Sequence, residues 1–150
     1  MATPEQARIT AHAGQPRIVR LWRALQPLRR VVSFMNTGAP PDDEPSAMLA
    51  ALGHRDGLDI SYACSTRGEG GQNDIGTEGG ADLGVLRTLE MERAADALGL
   101  RLYWLSETPD DPITDFGFSK SGEDTLRRWG HARTLTRFVE IVRAERPDII

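Results

Sequence analysis

The sequence predicts an α/β fold, an open and mainly parallel sheet with flanking helices, and three observations lead there. Short apolar runs that suit strands alternate with longer stretches of helical spacing. Each apolar run ends in residues typical of strand-to-helix turns, rich in glycine, proline or acidic side chains. The 150 residues, 39% hydrophobic and 27% charged, are enough to bury the core of one domain, so one sheet is expected rather than two.

Residues 1–30 are predicted to form an N-terminal extension and 31–150 the domain. From Arg17 to Arg30 five arginines are interleaved with Ile18, Val19, Leu21, Trp22, Leu25 and Leu28, an amphipathic helix or a lead into the first strand. A surface helix packed on the domain is favoured over membrane or nucleic-acid binding, because basic amphipathic stretches commonly have that role. The segment has no acid after Glu5, as in transit peptides, but it lacks their serine enrichment and has no apolar signal core.

Val31 to Met35 is a short apolar run ending at Asn36-Thr37-Gly38, which predicts strand 1 and a turn. Asp42-Asp43-Glu44 follow, then Pro45, which suits a first helical turn, and an apolar stretch from Ala47 to Leu52 that Gly53 is expected to stop. Leu58 to Cys64 alternates as strand 2. The seven glycines from Gly68 to Gly84 then predict a long irregular loop. Val85 to Leu98 has helical spacing with Gly99 as its stop, and Leu100 to Leu105 reads as strand 3. Pro109 to Phe118, with two prolines, a glycine and three aspartates, reads as a second functional or disordered loop. Thr125 to Ala144 reads as helix with an interruption at Gly130, and Arg146 to Ile150 as a turn into a fourth strand, near which the domain is expected to be truncated.

Parallel strands with right-handed crossovers bring their carboxyl ends to one edge, where a site is expected. The acidic triplet, the glycine loop and the aspartate loop all fall there. An exposed sheet edge beside strand 4 predicts self-association as a homo-oligomer. A formal charge of −4 and a pI near 5.4 argue against a nucleic-acid partner, and no run approaches the roughly 20 apolar residues of a membrane span. The chain therefore reads as soluble and, by default, cytoplasmic. A single cysteine, Cys64, excludes a disulfide framework and a multi-cysteine zinc site.

Adjacent carboxylates at a strand-to-helix turn have two readings, acidic caps at a helix N-terminus or a metal-and-base pair. The stretch Thr66-Arg67-Gly68-Glu69-Gly70-Gly71-Gln72-Asn73 matches neither phosphate-binding glycine motif, and Glu69 would repel a phosphate. Gly38-Ala39-Pro40-Pro41-Asp42-Asp43-Glu44 after strand 1 is similar to the AHPDDE motif of the PIG-L/LmbE family of zinc-dependent de-N-acetylases. The resemblance extends to the Thr66–Asn73 stretch, to the helix pattern Arg87, Glu90, Ala94, Leu98-Gly99, to Asp115-Phe116-Gly117-Phe118-Ser119-Lys120-Ser121 and to Trp129-Gly130-His131. It covers nearly everything from Val31 to Ile150.

The resemblance implies a Rossmann-like fold and hydrolysis of an N-acetyl group, often on a glucosamine-type sugar, with zinc polarising the carbonyl and activating water. By position Asp42 matches the general base and Asp43 a zinc ligand. Arg87 matches a substrate-binding arginine, a reading that competes with ordinary surface placement, and Asp115 a contact to a substrate hydroxyl. Glu69 and Arg67 would support or gate the site. The substrate would be a small N-acetylated molecule derived from a sugar.

The chain departs from the pattern where the motif's zinc-binding histidine is Pro40, and the family's other zinc histidine falls beyond Ile150. His54 lies near the far end of the intervening helix, roughly 15 Å from Asp43 at about 1.5 Å per residue. His131 and His12 read as solvated. Ala39-Pro40-Pro41 is expected to be extended. Three readings stay open: a metal-dependent de-N-acetylase present as an incomplete copy, a non-catalytic relative binding a glycan or a protein partner, and an artefact of the sequence at Pro40 and the end.

Overall fold

A computed structural model of the chain describes residues 16–108, 110–116 and 121–150. The elements are α1 (Arg17–Leu25) with a 3-10 turn at Gln26–Arg29, β1 (Ser33–Gly38), α2 (Ser46–Ala50) continued by a π-helical turn at Ala51–Arg55, and β2 (Asp59–Cys64). There follow α3 (Ala81–Leu98), β3 (Arg101–Trp104), α4 (Gly122–Trp129) and α5 (His131–Glu145). The three strands are parallel in the order β1-β2-β3, with Met35 opposite Ser61 and Ser61 opposite Arg101.

The last residues return to the free side of β1, as the expectation of a fourth strand requires. Ile149 bridges Phe34 in parallel, and the Met35 amide donates to the Ile149 carbonyl at 2.9 Å. Asp148 fixes the register, accepting the Ser33 amide at 2.8 Å while its own amide donates to the Ser33 hydroxyl at 3.0 Å. The chain thus steps from β1 to β3 in one direction and comes back on the other flank of β1. That reversal puts a topological switch point, the usual place for a ligand, at the carboxyl end of β1.

Side-chain alternation along β2 builds the core on both faces. Ile60, Tyr62 and Cys64 pack with Leu49, Met91 and Ala95, so α2 and α3 cover one face. Ala63 packs with Met35, Leu105 and Ile113 beneath Trp129, Phe138 and Ile141, so α4 and α5 cover the other. From Ile60 to Cys64 every residue of β2 is buried, because a middle strand under two helical layers has no solvent face. At the amino edge Arg101 donates to Asp59 at 2.7 Å and also to Glu145, tying β2 and β3 to the end of α5.

Several boundaries differ from the sequence reading. β1 runs on through Asn36-Thr37-Gly38 rather than turning there, because those residues pair with Tyr62, Ala63 and Cys64. Gly53 does not stop the second helix; the π-helical turn carries the chain to Arg55, with Gly53 lying against the Ile60 side chain. Pro45 is the cap before α2 rather than part of its first turn, and α3 begins at Ala81, four residues before Val85. The break at Gly130 is present: its φ of +82° separates α4 from α5. α1 forms and is amphipathic, but it is not packed on the domain by its apolar face. Ile18, Leu21 and Trp22 are 70%, 54% and 45% exposed, whereas Gln26 is buried against the Gly57 backbone turn and Arg30 donates to the Asp56 carbonyl at 3.4 Å. No described helix is long and apolar enough to cross a membrane.

Met35 is fully buried between β1 and the α5 layer. Replacing it by alanine is expected to lower the unfolding free energy by about 2–5 kcal/mol, read from urea denaturation, because a rigid three-layer core cannot collapse into the gap.

Candidate functional site

The loop after β1 turns tightly. The Ala39–Pro40 peptide is cis, the Asp43 amide donates to the Pro40 carbonyl at 3.3 Å, and Asp42 has φ +96°. The backbone bends at Ala39 and Pro40 and turns at Pro41 and Asp42, rather than running extended as expected. A positive φ is uncommon outside glycine, and aspartate is among the residues that tolerate it. Here it is held by Glu44, whose carboxylate accepts the Asp42 amide and the Ser46 hydroxyl, each at 3.0 Å. Glu44 went unremarked as a site residue in the sequence reading. The cap residue of α2 is Pro45, and no side-chain hydrogen bond caps the helix.

Arg87, on the second turn of α3, reaches this loop. Its guanidinium stands 3.8 Å from the Asp42 carboxylate, with Arg87 17% and Asp42 69% exposed. It donates to the Gln72 carbonyl at 3.3 Å. The glycines of the loop after β2 explain how it gets there: a Cβ on Gly68 would lie 2.6 Å from Arg87 Cδ, and one on Gly71 2.8 Å from Cζ. The loop closes around the side chain only because those atoms are missing. An ion pair with so exposed a partner adds little stability, so its consequence is orientation. The Asp42 carboxyl is raised above its usual range, first by burial, against the lowering effect of Arg87, with the charges of Asp43, Glu44 and Asp115 adding to the rise. A cleft of about 170 Å³ lies between this loop and α3, lined by Pro41, Asp42, Glu44, Arg87, Glu90 and Met91.

The loop after β3 brings Asp115 to the same edge. It is ordered by polar side chains from three directions. Arg137 donates to the Leu105 carbonyl at 2.7 Å and to Asp111 at 2.9 Å. Asp111 in turn accepts the amides of Ile113 at 2.8 Å and Glu107 at 3.3 Å. Trp129 Nε1 donates to the Thr114 carbonyl at 2.8 Å. Arg67 donates to the Ser106 and Glu107 carbonyls, and Glu69 accepts the Asp115 amide. The Arg137–Asp111 pair had no signal in the sequence beyond the individual charges. Residues 117–120 of the family-like stretch lie outside the described residues.

The structure brings Asp42, Arg87 and Asp115 together and leaves the histidines elsewhere. His54 Nε2 lies 3.3 Å from the Ala97 carbonyl at the end of α3, a structural contact. His131 is exposed at the start of α5, and His12 lies outside the described residues. Cys64 is fully buried, and burial pushes its thiol up to about 12, so it supplies no thiolate. Both oxygens of the neighbouring Glu44 are already engaged. Among the described residues no three histidine, cysteine, aspartate or glutamate side chains gather as a metal site. The described residues do not by themselves fit zinc.

Burial raises the Asp111 carboxyl, but Arg137 and the amides of Ile113 and Glu107 outweigh it, and the net shift is downward. A depressed carboxyl stabilises the fold fully above its unfolded value of about 3.9 and loses that contribution as pH falls through the folded value. Thermal melts from pH 7 to pH 3 are therefore expected to show a steeper acid loss in the natural chain than in Asp111→Asn.

No individual curated protein matches the chain. The match is to a family, PIG-L, described as GlcNAc-PI de-N-acetylase, and it spans residues 35–150, from β1 through the segment that returns beside it. The chain belongs to the PIG-L family, whose function is in general of the de-N-acetylase type.

Proposed function

We propose that this chain recognises an N-acetylated, sugar-derived small molecule at the carboxyl end of β1 as a member of a metal-dependent hydrolase family, and that hydrolysis requires metal donors beyond its own Asp43. The observation that carries the reading is the junction of Asp42 and Arg87 across 3.8 Å at the switch point. Amide hydrolysis needs a carboxylate to take the proton of the attacking water, and the raised carboxyl of Asp42 makes it a better acceptor than an ordinary surface aspartate. Arg87, held by the glycine loop, presents a planar set of donors to substrate oxygens. Asp115 is assigned to a substrate hydroxyl. Asp43 is the one metal ligand the chain contributes in this assignment, with zinc as the metal. The proposal includes a cytoplasmic location and association into a homo-oligomer.

Pro40 favours a second reading, in which the chain binds the sugar without hydrolysing it, because proline offers no side-chain donor.

Metal analysis of the purified chain beside Pro40→His tests the central point. Substoichiometric zinc in the natural chain, rising in Pro40→His and falling again when Asp43→Ala is added, is the expected result. Near-stoichiometric zinc in the natural chain that is lost with Asp43→Ala would show that the chain completes the site itself.

Titration with N-acetylglucosamine, followed by chemical-shift changes, tests recognition. Arg87→Ala is expected to weaken binding roughly tenfold or more, and Arg87→Lys to restore it only in part, since an ammonium cannot reproduce the planar fork.

A further inference from the structure

Two charged side chains two residues apart, Arg67 and Glu69, are 9% and 7% exposed, and among the described residues neither is in an ion pair. Glu69 is directed to backbone amides, and Arg67 to backbone carbonyls and to the Thr88 hydroxyl on α3, to which its Nη1 donates at 3.0 Å. Arg67 leaves β2 and crosses to the loop after β3, donating to the Ser106 carbonyl at 2.9 Å and the Glu107 carbonyl at 3.1 Å, with its guanidinium 4.6 Å from the Trp104 ring centre. One oxygen of Glu69 accepts the Arg67 amide at 3.2 Å and the Asp115 amide at 3.1 Å. Among the described residues the other Glu69 oxygen and Arg67 Nε are buried and find no hydrogen-bond partner. The first turn of α3 presses on Glu69, since a Cβ on Gly84 would lie 2.8 Å from Glu69 Cγ.

Burying a charge that is incompletely paired is costly, and a neutral loop contact would hold a static segment at lower cost. What the two charges achieve together is placement. Arg67 grips the beginning of the loop at Ser106 and Glu107, and Glu69 grips its end at Asp115. We propose that Arg67 and Glu69 act as a two-point clamp that positions Asp115 against the Asp42–Arg87 site, with Glu69 as the positioning residue. The functional consequence rests on the reading of Asp115 as a substrate contact; the clamp itself does not.

Hydrogen exchange at the Asp115 amide, measured on the full chain, tests the clamp. Glu69→Ala is expected to raise it by about tenfold or more, the effect of losing a hydrogen bond to a charged acceptor. The sheet amides of Ser65 and Leu105, which donate to Gly38 and Cys64, should stay unchanged. Glu69→Gln should restore most of the protection, because its amide oxygen can accept the same bond. An unchanged Asp115 amide in Glu69→Ala, or a rise shared by Ser65 and Leu105, would overturn the clamp. If Glu69→Ala does not fold, Glu69→Leu, which keeps the volume and removes the acceptor, decides alone: a rise confined to Asp115 and Arg67 supports the clamp, and no rise or a general one overturns it. N-acetylglucosamine titration of Asp115→Ala separates the two readings. Unaltered sugar binding there, with an exchange effect in the Glu69 variants, removes the substrate contact and keeps the clamp.

Discussion

The arrangement of this protein depends on β1 being paired on both sides. β2 lies against one edge in parallel, and the segment at Ile149 lies against the other, registered by the reciprocal hydrogen bonds of Ser33 and Asp148. With β1 interior, the direction of strand progression reverses beside it. Such a reversal is where open α/β sheets form a crevice, here at the carboxyl end of β1. The acidic turn occupies that place, and the loops after β2 and β3 lean toward it from one side.

The electrostatics of the edge follow from this crowding. Asp42 feels three other carboxylates, Asp43, Glu44 and Asp115, against one cation, Arg87, and its carboxyl rises. The protein holds these like charges close by giving their neighbours specific backbone partners. Glu44 accepts the Asp42 amide, and Glu69 accepts the Asp115 amide. Arg87 is kept in place by steric closure of glycine backbone as much as by charge. The same loop that resembles a phosphate cradle in composition thus serves an arginine, and its glycines admit a guanidinium rather than an anion.

Part of the candidate site was marked in the residues. Asp42 and Asp43 stood out as adjacent carboxylates after a buried strand, and Arg87 through the resemblance of its helix to the family pattern. The interruption at Gly130 and the parallel α/β order also followed from local signals. What stayed hidden were contacts between segments far apart in sequence. Arg137 meets Asp111 across the loop, and Glu69 reaches Asp115 from the end of another strand. Nothing in the spacing of those residues announces the pairing, since a lone charge on a polar loop looks like any solvated one. The orientation of α1 was missed for a related reason. Periodicity shows that a helix has an apolar face, but the face that meets the domain is decided by where the chain is tethered, here at Gln26 and Arg30.

The sequence by itself determined the fold class, the order of elements and the edge to which the candidate loops come, because each is written in local composition and turn chemistry. Tertiary structure alone decided the positive φ of Asp42, the closure of Gly68 and Gly71 around Arg87 and the joining of the β2 and β3 loops through Arg67 and Glu69. Those features arise when strands that are distant in the chain are brought side by side, and burial then requires each stranded charge and amide to find the partner that the packing leaves within reach.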